Sequence, residues 1–286
     1  AMLLGGGTDL LPNMKRRQQT PKTLVALRNI AELRRIQNGA GLRLGAGLTL
    51  AGVANELSRR GAGEYKALLQ AVSQVATPHI QNMGTLGGNL CLDTRCSYYN
   101  QNYEWRQAID FCMKKDGGIC WVATSSPKCL AVSSSDTAPA LLALNAKVRL
   151  FSQAGERELP LLALYNNDGI AYLHRRPDEI LASVQLPDLR GYRSTYLKLR
   201  RRGSIDFPVL GVAAAVKLDG DVITEARIAL GAVASCPLLC EEAAASLVGG
   251  RLEEARIDHA AGLAARLAHP LDNTDLARSE EHTSEL

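Results

Sequence analysis

The chain has 286 residues, enough for two modest domains or one large one, and its 46% apolar and 22% charged residues exclude intrinsic disorder. A net charge of +4, spread over interspersed acids and bases, excludes the one-sided basic face of a nucleic-acid binder. No apolar run approaches the roughly 18 residues of a membrane helix and no secretory signal opens the chain, so a cytoplasmic protein with reduced thiols and no membrane span is expected.

In chain order, Leu3-Leu4 reads as the end of a strand running into Gly5-Gly6-Gly7-Thr8-Asp9, which implies an upstream segment. Short strands are predicted at Thr23 to Leu27 and Leu42 to Leu44, and helical spacing of apolar residues at Leu50 to Leu57 and Tyr65 to Val75. A second glycine loop follows, Gly84-Thr85-Leu86-Gly87-Gly88-Asn89. From Cys91 to Cys129 the texture is aromatic, polar and cysteine-rich with no clean period, as in an inserted loop. A helix resumes at Asp136 to Leu144, and Lys147 to Pro160 reads as a hairpin. Beyond about residue 170 the pattern turns β-rich, with strands at Glu179 to Leu186, Arg193 to Arg200 and Val209 to Lys217. Asp219-Gly220 is a hairpin signal leading into Val222 to Val233. Ala-rich helices at Leu239 to Val248 and Leu252 to Leu267 close the pattern. The reading is an α+β N-terminal domain and a smaller C-terminal β-meander with helices on one face. Residues 278–286 (RSEEHTSEL) share no pattern with the rest and are expected to be a non-native tail.

Glycine permits close approach of backbone N–H groups to a ligand, and a loop of such amides can cradle an anion. Two such loops could clamp the two phosphates of a dinucleotide, although neither has the G-x-G-x-x-G or the Walker spacing; each alone also reads as a tight turn. GGGTDLLPNMK (Gly5 to Lys15) and TPHIQNMGTLGGN (Thr77 to Asn89) together resemble the two FAD-diphosphate loops of the flavoprotein subunits of the xanthine dehydrogenase and carbon monoxide dehydrogenase family. LRLGAGLTLAGV (Leu42 to Val53) and YLKLRRRGSIDFPVLGVAAAV (Tyr196 to Val216) resemble that family as well, in the same order. The resemblance implies an α+β fold: a two-part FAD-binding domain of the vanillyl-alcohol-oxidase (PCMH) type over 1–168, with an insertion at 91–130, then a smaller α+β domain over 169–277. It implies that Gly5, Gly6, Gly7, Thr8, Asp9 and Leu10 line the first diphosphate loop, and Gly84, Thr85, Gly87, Gly88 and Asn89 the second. Asp136 matches an acidic residue that hydrogen-bonds the nucleotide part of FAD, and also reads as a helix N-cap. Lys198 matches a lysine near the flavin ring, and also reads as an exposed strand lysine. His79 reads as either a loop cap or a flavin contact.

Seven cysteines are present, five of them between Cys91 and Cys129. Clustered thiols in a reducing compartment suggest metal rather than disulfides. No C-x-x-C knuckle occurs, which disfavours a zinc finger. Widely spaced soft thiolates suit an iron–sulfur cluster; zinc and unliganded packing thiols stay open. The segment from Cys91 to Cys129 resembles the cluster-bearing insertion of one branch of the family, the β subunits of 4-hydroxybenzoyl-CoA reductases. That resemblance implies a [4Fe–4S] cluster on Cys96, Cys112, Cys120 and Cys129, shielded by Tyr98, Tyr99, Tyr103, Trp105 and Trp121. Cys91 would be a spare thiol near the flavin, and Cys236 and Cys240 packing residues. It also implies an oxidoreductase subunit without a substrate site of its own. Partners would be a molybdenum-cofactor subunit, a [2Fe–2S] subunit and a low-potential donor such as ferredoxin. Electrons would enter for the reductive dehydroxylation of 4-hydroxybenzoyl-CoA to benzoyl-CoA. The alternative is the FAD subunit of a related xanthine, CO or aldehyde dehydrogenase-type hydroxylase that passes electrons outward; a metal-stabilised assembly subunit is a third reading.

Overall fold

A computed structural model describes residues 1–61 and 63–269, so residues 278–286 lie outside the described part. The chain opens with β1 (Met2–Leu4), α1 (Leu10–Lys15) and β2 (Leu24–Ala26); β1 and β2 pair in parallel. β3 (Ile36–Asn38) and β4 (Leu42–Gly45) follow, then α2 (Leu50–Arg60) and α3 (Lys66–Ser73). α2 starts where the Thr49 hydroxyl accepts the Gly52 N–H at 3.1 Å, and stops at Gly61, whose φ of 63° lies in the left-handed region. Its Leu50, Val53 and Leu57 share one buried face. α4 (Pro78–Met83) and α5 (Leu86–Leu90) are single turns capped by Thr77 and Thr85.

The cysteine-rich stretch holds one short helix, α6 (Tyr103–Ala108), started by Asn102. α7 (Thr137–Ala143) is buried on every side. β5 (Lys147–Ser152) and β6 (Gly155–Pro160) form the expected hairpin. β7 (Ile180–Leu186), which the sequence grouped with the C-terminal strands, is hydrogen-bonded between β4 and β5. Its inward Leu181, Val184 and Leu186 belong to the same core as Leu42, Leu44 and Val148, and local pattern alone could not show which sheet would take it. The first sheet is antiparallel with order β3-β4-β7-β5-β6.

The second sheet is a meander of β8 (Tyr192–Leu199), β9 (Leu210–Asp219), β10 (Val222–Gly231) and β11 (Leu238–Leu239). Asp219 pairs with Val222, so the hairpin turns on Gly220 and Asp221, one residue later than the Asp-Gly signal suggested; Gly220 takes a φ of 57°. α8 (Glu241–Leu247) packs on β10 and α9 (Glu254–Ala265) packs on α8, and Leu247, Leu263, Ile223 and Leu230 belong to one buried cluster there. The main core crosses from one sheet to the other. α7 packs on β9 and β10 on one side and on α3 on the other, and Tyr196, Ala213 and Ala229 join the cluster of Leu68, Val72 and Leu141. No helix among the described residues is long and apolar enough to cross a membrane.

Candidate functional site

The two glycine loops lie against each other. A Cβ on Gly6 would collide with the Met83 carbonyl and come within 2.9 Å of Gly84 Cα; one on Gly5 would meet Thr85 Oγ1 at 2.9 Å. Only glycine allows this approach. Gly7 also needs its glycine, with a φ of 75°.

The amides of the two loops differ. In the second loop, Gly84 N–H donates to Ile80 O (2.6 Å), Leu86 N–H to Leu48 O (2.9 Å) and Gly87 N–H to Ala46 O (2.8 Å). Gly88 N–H donates to the Thr85 hydroxyl at 3.1 Å. In the first loop, the six successive N–H groups from Gly5 to Leu10 donate to no protein acceptor among the described residues. A run of unpartnered amides on a half-buried turn is the donor set that an anionic oxygen requires. Asp9 contributes one N–H to this row; its carboxylate accepts from Asn13 Nδ2 at 3.0 Å and pairs with Arg95.

Asn89 points into the protein. Its Oδ1 accepts from Ser135 Oγ (2.8 Å), Thr137 Oγ1 (2.6 Å) and Thr137 N–H (3.2 Å). Asn89 and Ser135 thereby cap α7, with Ser135 Oγ taking the Ala138 N–H at 3.1 Å. Asp136 does not cap that helix with its side chain, contrary to the capping reading, because its carboxylate is drawn toward the second sheet. There the Tyr196 phenol donates to Oδ1 at 2.7 Å and the Lys198 ammonium to Oδ2 at 3.0 Å.

The Asp136–Lys198 pair is buried, with the two side chains 5% and 0% exposed, so the reading of Lys198 as an exposed strand lysine does not hold. Burial pushes the Asp136 carboxyl above its usual range, while Lys198 and Tyr196 pull it back. Lys198 also donates to Gln74 O (3.1 Å) and Asp206 O (2.9 Å), which occupies all three of its donors. The resemblance gives these two residues to different parts of FAD; in the structure they are each other's partners. Tyr196, absent from the sequence-derived site, completes the pair, and its place in the alternating pattern of β8 was the only signal for it. His79 is exposed on α4.

In the insertion, Cys112, Cys120 and Cys129 are buried, Cys96 is half-buried, and all are free thiols. Burial pushes the Cys96 thiol up to about 11, its neighbours Cys112 and Cys129 add to the rise, and the Tyr98 and Tyr99 N–H groups oppose it. Burial raises Cys129 too; the Ala131 N–H and the Lys114 ammonium oppose this, and Cys120 and Cys112 reinforce it. Backbone bonds between Arg95 and Val132, and from the Met113 N–H to Ile119 O, bring together the segments that carry Cys96 with Cys129 and Cys112 with Cys120. The four thiols do not form a preformed donor set: among the described residues no three His, Cys, Asp or Glu side chains converge at the distance of a single metal ion. Neutral buried thiols lack the charge that draws ligands together, and donor sets commonly close only on the metal. Lys114 is buried beside them, bonded to Asp93 Oδ1 (2.8 Å), Thr94 Oγ1 (2.7 Å) and Gly169 O (2.6 Å). Tyr99 is buried as expected, its carbonyl held by Gln18. Cys91 is pushed up to about 11 by burial, and Cys236 and Cys240 pack in the two cores.

Residues 1–189 match the family described as the FAD binding domain in molybdopterin dehydrogenase, and residues 194–282 match the CO dehydrogenase flavoprotein C-terminal domain. The chain belongs to the family of FAD-binding subunits of molybdenum hydroxylase-type dehydrogenases, which are parts of oxidoreductases. It is 32% identical over 264 residues to the aldehyde oxidoreductase FAD-binding subunit PaoB of Escherichia coli, covering 87% of this chain and 80% of that one. It is 28% identical to the carbon monoxide dehydrogenase medium chain of Afipia carboxidovorans, covering 93% and 78%. Among solved structures, reconstituted CO dehydrogenase from Oligotropha carboxidovorans superposes with a TM-score of 0.78 at 25% identity, over 98% of this chain and 84% of that chain.

Proposed function

We propose that this chain is the electron-transferring FAD subunit of a molybdenum-dependent reductase whose complex acts on 4-hydroxybenzoyl-CoA, with Cys96, Cys112, Cys120 and Cys129 holding a [4Fe–4S] cluster. The observation that carries the FAD part is the row of unpartnered N–H groups from Gly5 to Leu10, packed against the second glycine loop. In this reading those amides hold the diphosphate. The second loop forms the wall behind them, and the exposed side chains of Leu11 and Met83 screen the site from water. Bound FAD takes one or two electrons, so it links one-electron carriers to two-electron chemistry. The Asp136–Lys198–Tyr196 group ties β8 to α7 and fixes the second domain against the first. Because β7 belongs to the first sheet, we place the division between the domains after Leu186.

The cluster reading rests on four free, buried or half-buried thiols that feel one another's charge inside a segment with little regular structure. The Ala131 N–H donates to the Cys129 sulfur at 3.5 Å, as suits a thiolate that must hold negative charge. In this reading the partners are a molybdenum-cofactor subunit, a [2Fe–2S] subunit and a low-potential donor such as ferredoxin. The second reading, an FAD subunit of an aldehyde or CO dehydrogenase-type hydroxylase sending electrons outward, is favoured by the similarity to PaoB and by the lack of a closed donor set among the described residues. Iron, acid-labile sulfide and an electron paramagnetic resonance spectrum of the dithionite-reduced subunit, isolated without oxygen, separate the two. About four irons and four sulfides per chain support the reductase; FAD without iron leaves the hydroxylase reading.

A further inference from the structure

Arg95 precedes Cys96 in sequence, yet its side chain leaves the insertion. The residue is 6% exposed. Its guanidinium pairs with the Asp9 carboxylate in the first glycine loop. It donates to Asn13 Oδ1 of α1 at 3.2 Å and to Asn100 Oδ1 at 3.4 Å, and lies 5.0 Å from the centre of the Phe207 ring, in the connection between β8 and β9. Its own N–H and C=O are both bonded to Val132 at 2.7 Å. One side chain thus joins the first glycine loop, α1, the insertion and the second domain. Its Nε is buried without a partner.

The electrostatics give this arrangement a purpose. Asp9 stands among the amides from Gly5 to Leu10, and a bare carboxylate there would repel any phosphate drawn to them. A buried guanidinium paired with Asp9 cancels that charge.

We propose that Arg95 is a positioning residue of the FAD site: by neutralising Asp9, it makes the first glycine loop able to accept a diphosphate. The inference rests on the FAD reading above and adds to it that a residue of the cysteine insertion sets the charge balance of the flavin loop.

The test is a fluorescence titration of the flavin-free full chain with FAD, comparing wild type with Arg95→Gln, Arg95→Lys, Asp9→Asn and the double variant Asp9→Asn/Arg95→Gln. Arg95→Gln is expected to weaken FAD binding roughly tenfold or more, as truncating one partner of a buried charge pair does. Arg95→Lys is expected to keep most of the affinity. The double variant is expected to recover to within about threefold of Asp9→Asn, because the repelling charge is gone. A merely structural arginine would give a double variant as weak as Arg95→Gln, and that result overturns the proposal, as does wild-type affinity in Arg95→Gln. Should Arg95→Gln fail to fold, Asp9→Asn decides: FAD affinity equal to or tighter than wild type supports the proposal, and a loss of about tenfold overturns it. A wild-type chain that takes up no FAD defeats the FAD reading itself, a result distinct from any difference among the variants.

Discussion

The two glycine loops look alike in sequence and differ in what their backbones do. In the first, Gly5 to Leu10, none of the N–H groups has a protein acceptor among the described residues. In the second, Gly84, Leu86, Gly87 and Gly88 all donate inward, to α4, to the segment before α2 and to the Thr85 hydroxyl. On the proposed function, the first loop receives the diphosphate and the second supports it. A glycine-rich motif therefore does not by itself say whether its amides are on offer; the neighbours that compete for them decide.

Gly6→Ala should break the comparison hardest. Its methyl collides with the Met83 carbonyl and forces the loops apart. FAD affinity, measured by titration, is expected to fall at least about a hundredfold, equivalent to roughly 2.7 kcal/mol. Gly87→Ala should act on stability first. Its Cβ would meet Ala46 Cβ at 2.7 Å and Ala46 O at 3.0 Å. Overpacking of this kind costs about 1–3 kcal/mol, a fall in Tm of several degrees by calorimetry, with FAD affinity following only as far as the fold loosens. Thr85→Ala removes the cap of α5 and should cost about 1 kcal/mol, with FAD affinity within about threefold of wild type.

The smallest change in FAD affinity belongs to a site away from both loops. Arg157 donates to both Glu179 oxygens at 2.6 and 2.9 Å, and the Arg176 N–H adds a bond at 2.7 Å. The Arg157 bonds chiefly hold the Glu179 carboxyl at about 2, against an ordinary value of 4.5. A depressed carboxyl stabilises the fold fully above its unfolded value, and that contribution is lost as pH falls from about 4.5 toward 2. Glu179→Gln should flatten the decline of Tm over that window. It thereby separates acid unfolding from any loss of FAD that follows protonation nearer the loops.

Much of the fold was legible. Periodicity marked α2, α3, the β5–β6 hairpin and the meander, and the glycine loops stood out by composition. What was hidden depends on partners far along the chain. The competitors for the second loop's amides, Ala46 and Leu48, lie about forty residues upstream of it. Asp136 read equally well as a cap, and nothing local placed it against Lys198, 62 positions later. Arg95 drew no notice beside Cys96, because its role lies with Asp9 and Phe207. β7 was recognised as a strand but assigned to the wrong sheet, since its apolar run fits either face of a core. The cysteines were legible as a group, and among the described residues they are not closed on a metal ion.

The account's central claim is that the first glycine loop, walled by the second, is where this chain takes the diphosphate of FAD. The most direct test titrates the flavin-free full chain with FAD, with ADP as a competitor that shares the adenosine diphosphate part, in wild type, Gly6→Ala and Thr85→Ala. The account expects one FAD per chain, displacement by ADP, near-complete loss in Gly6→Ala and near-wild-type binding in Thr85→Ala. Binding that survives Gly6→Ala, or that falls equally in both variants, would contradict it.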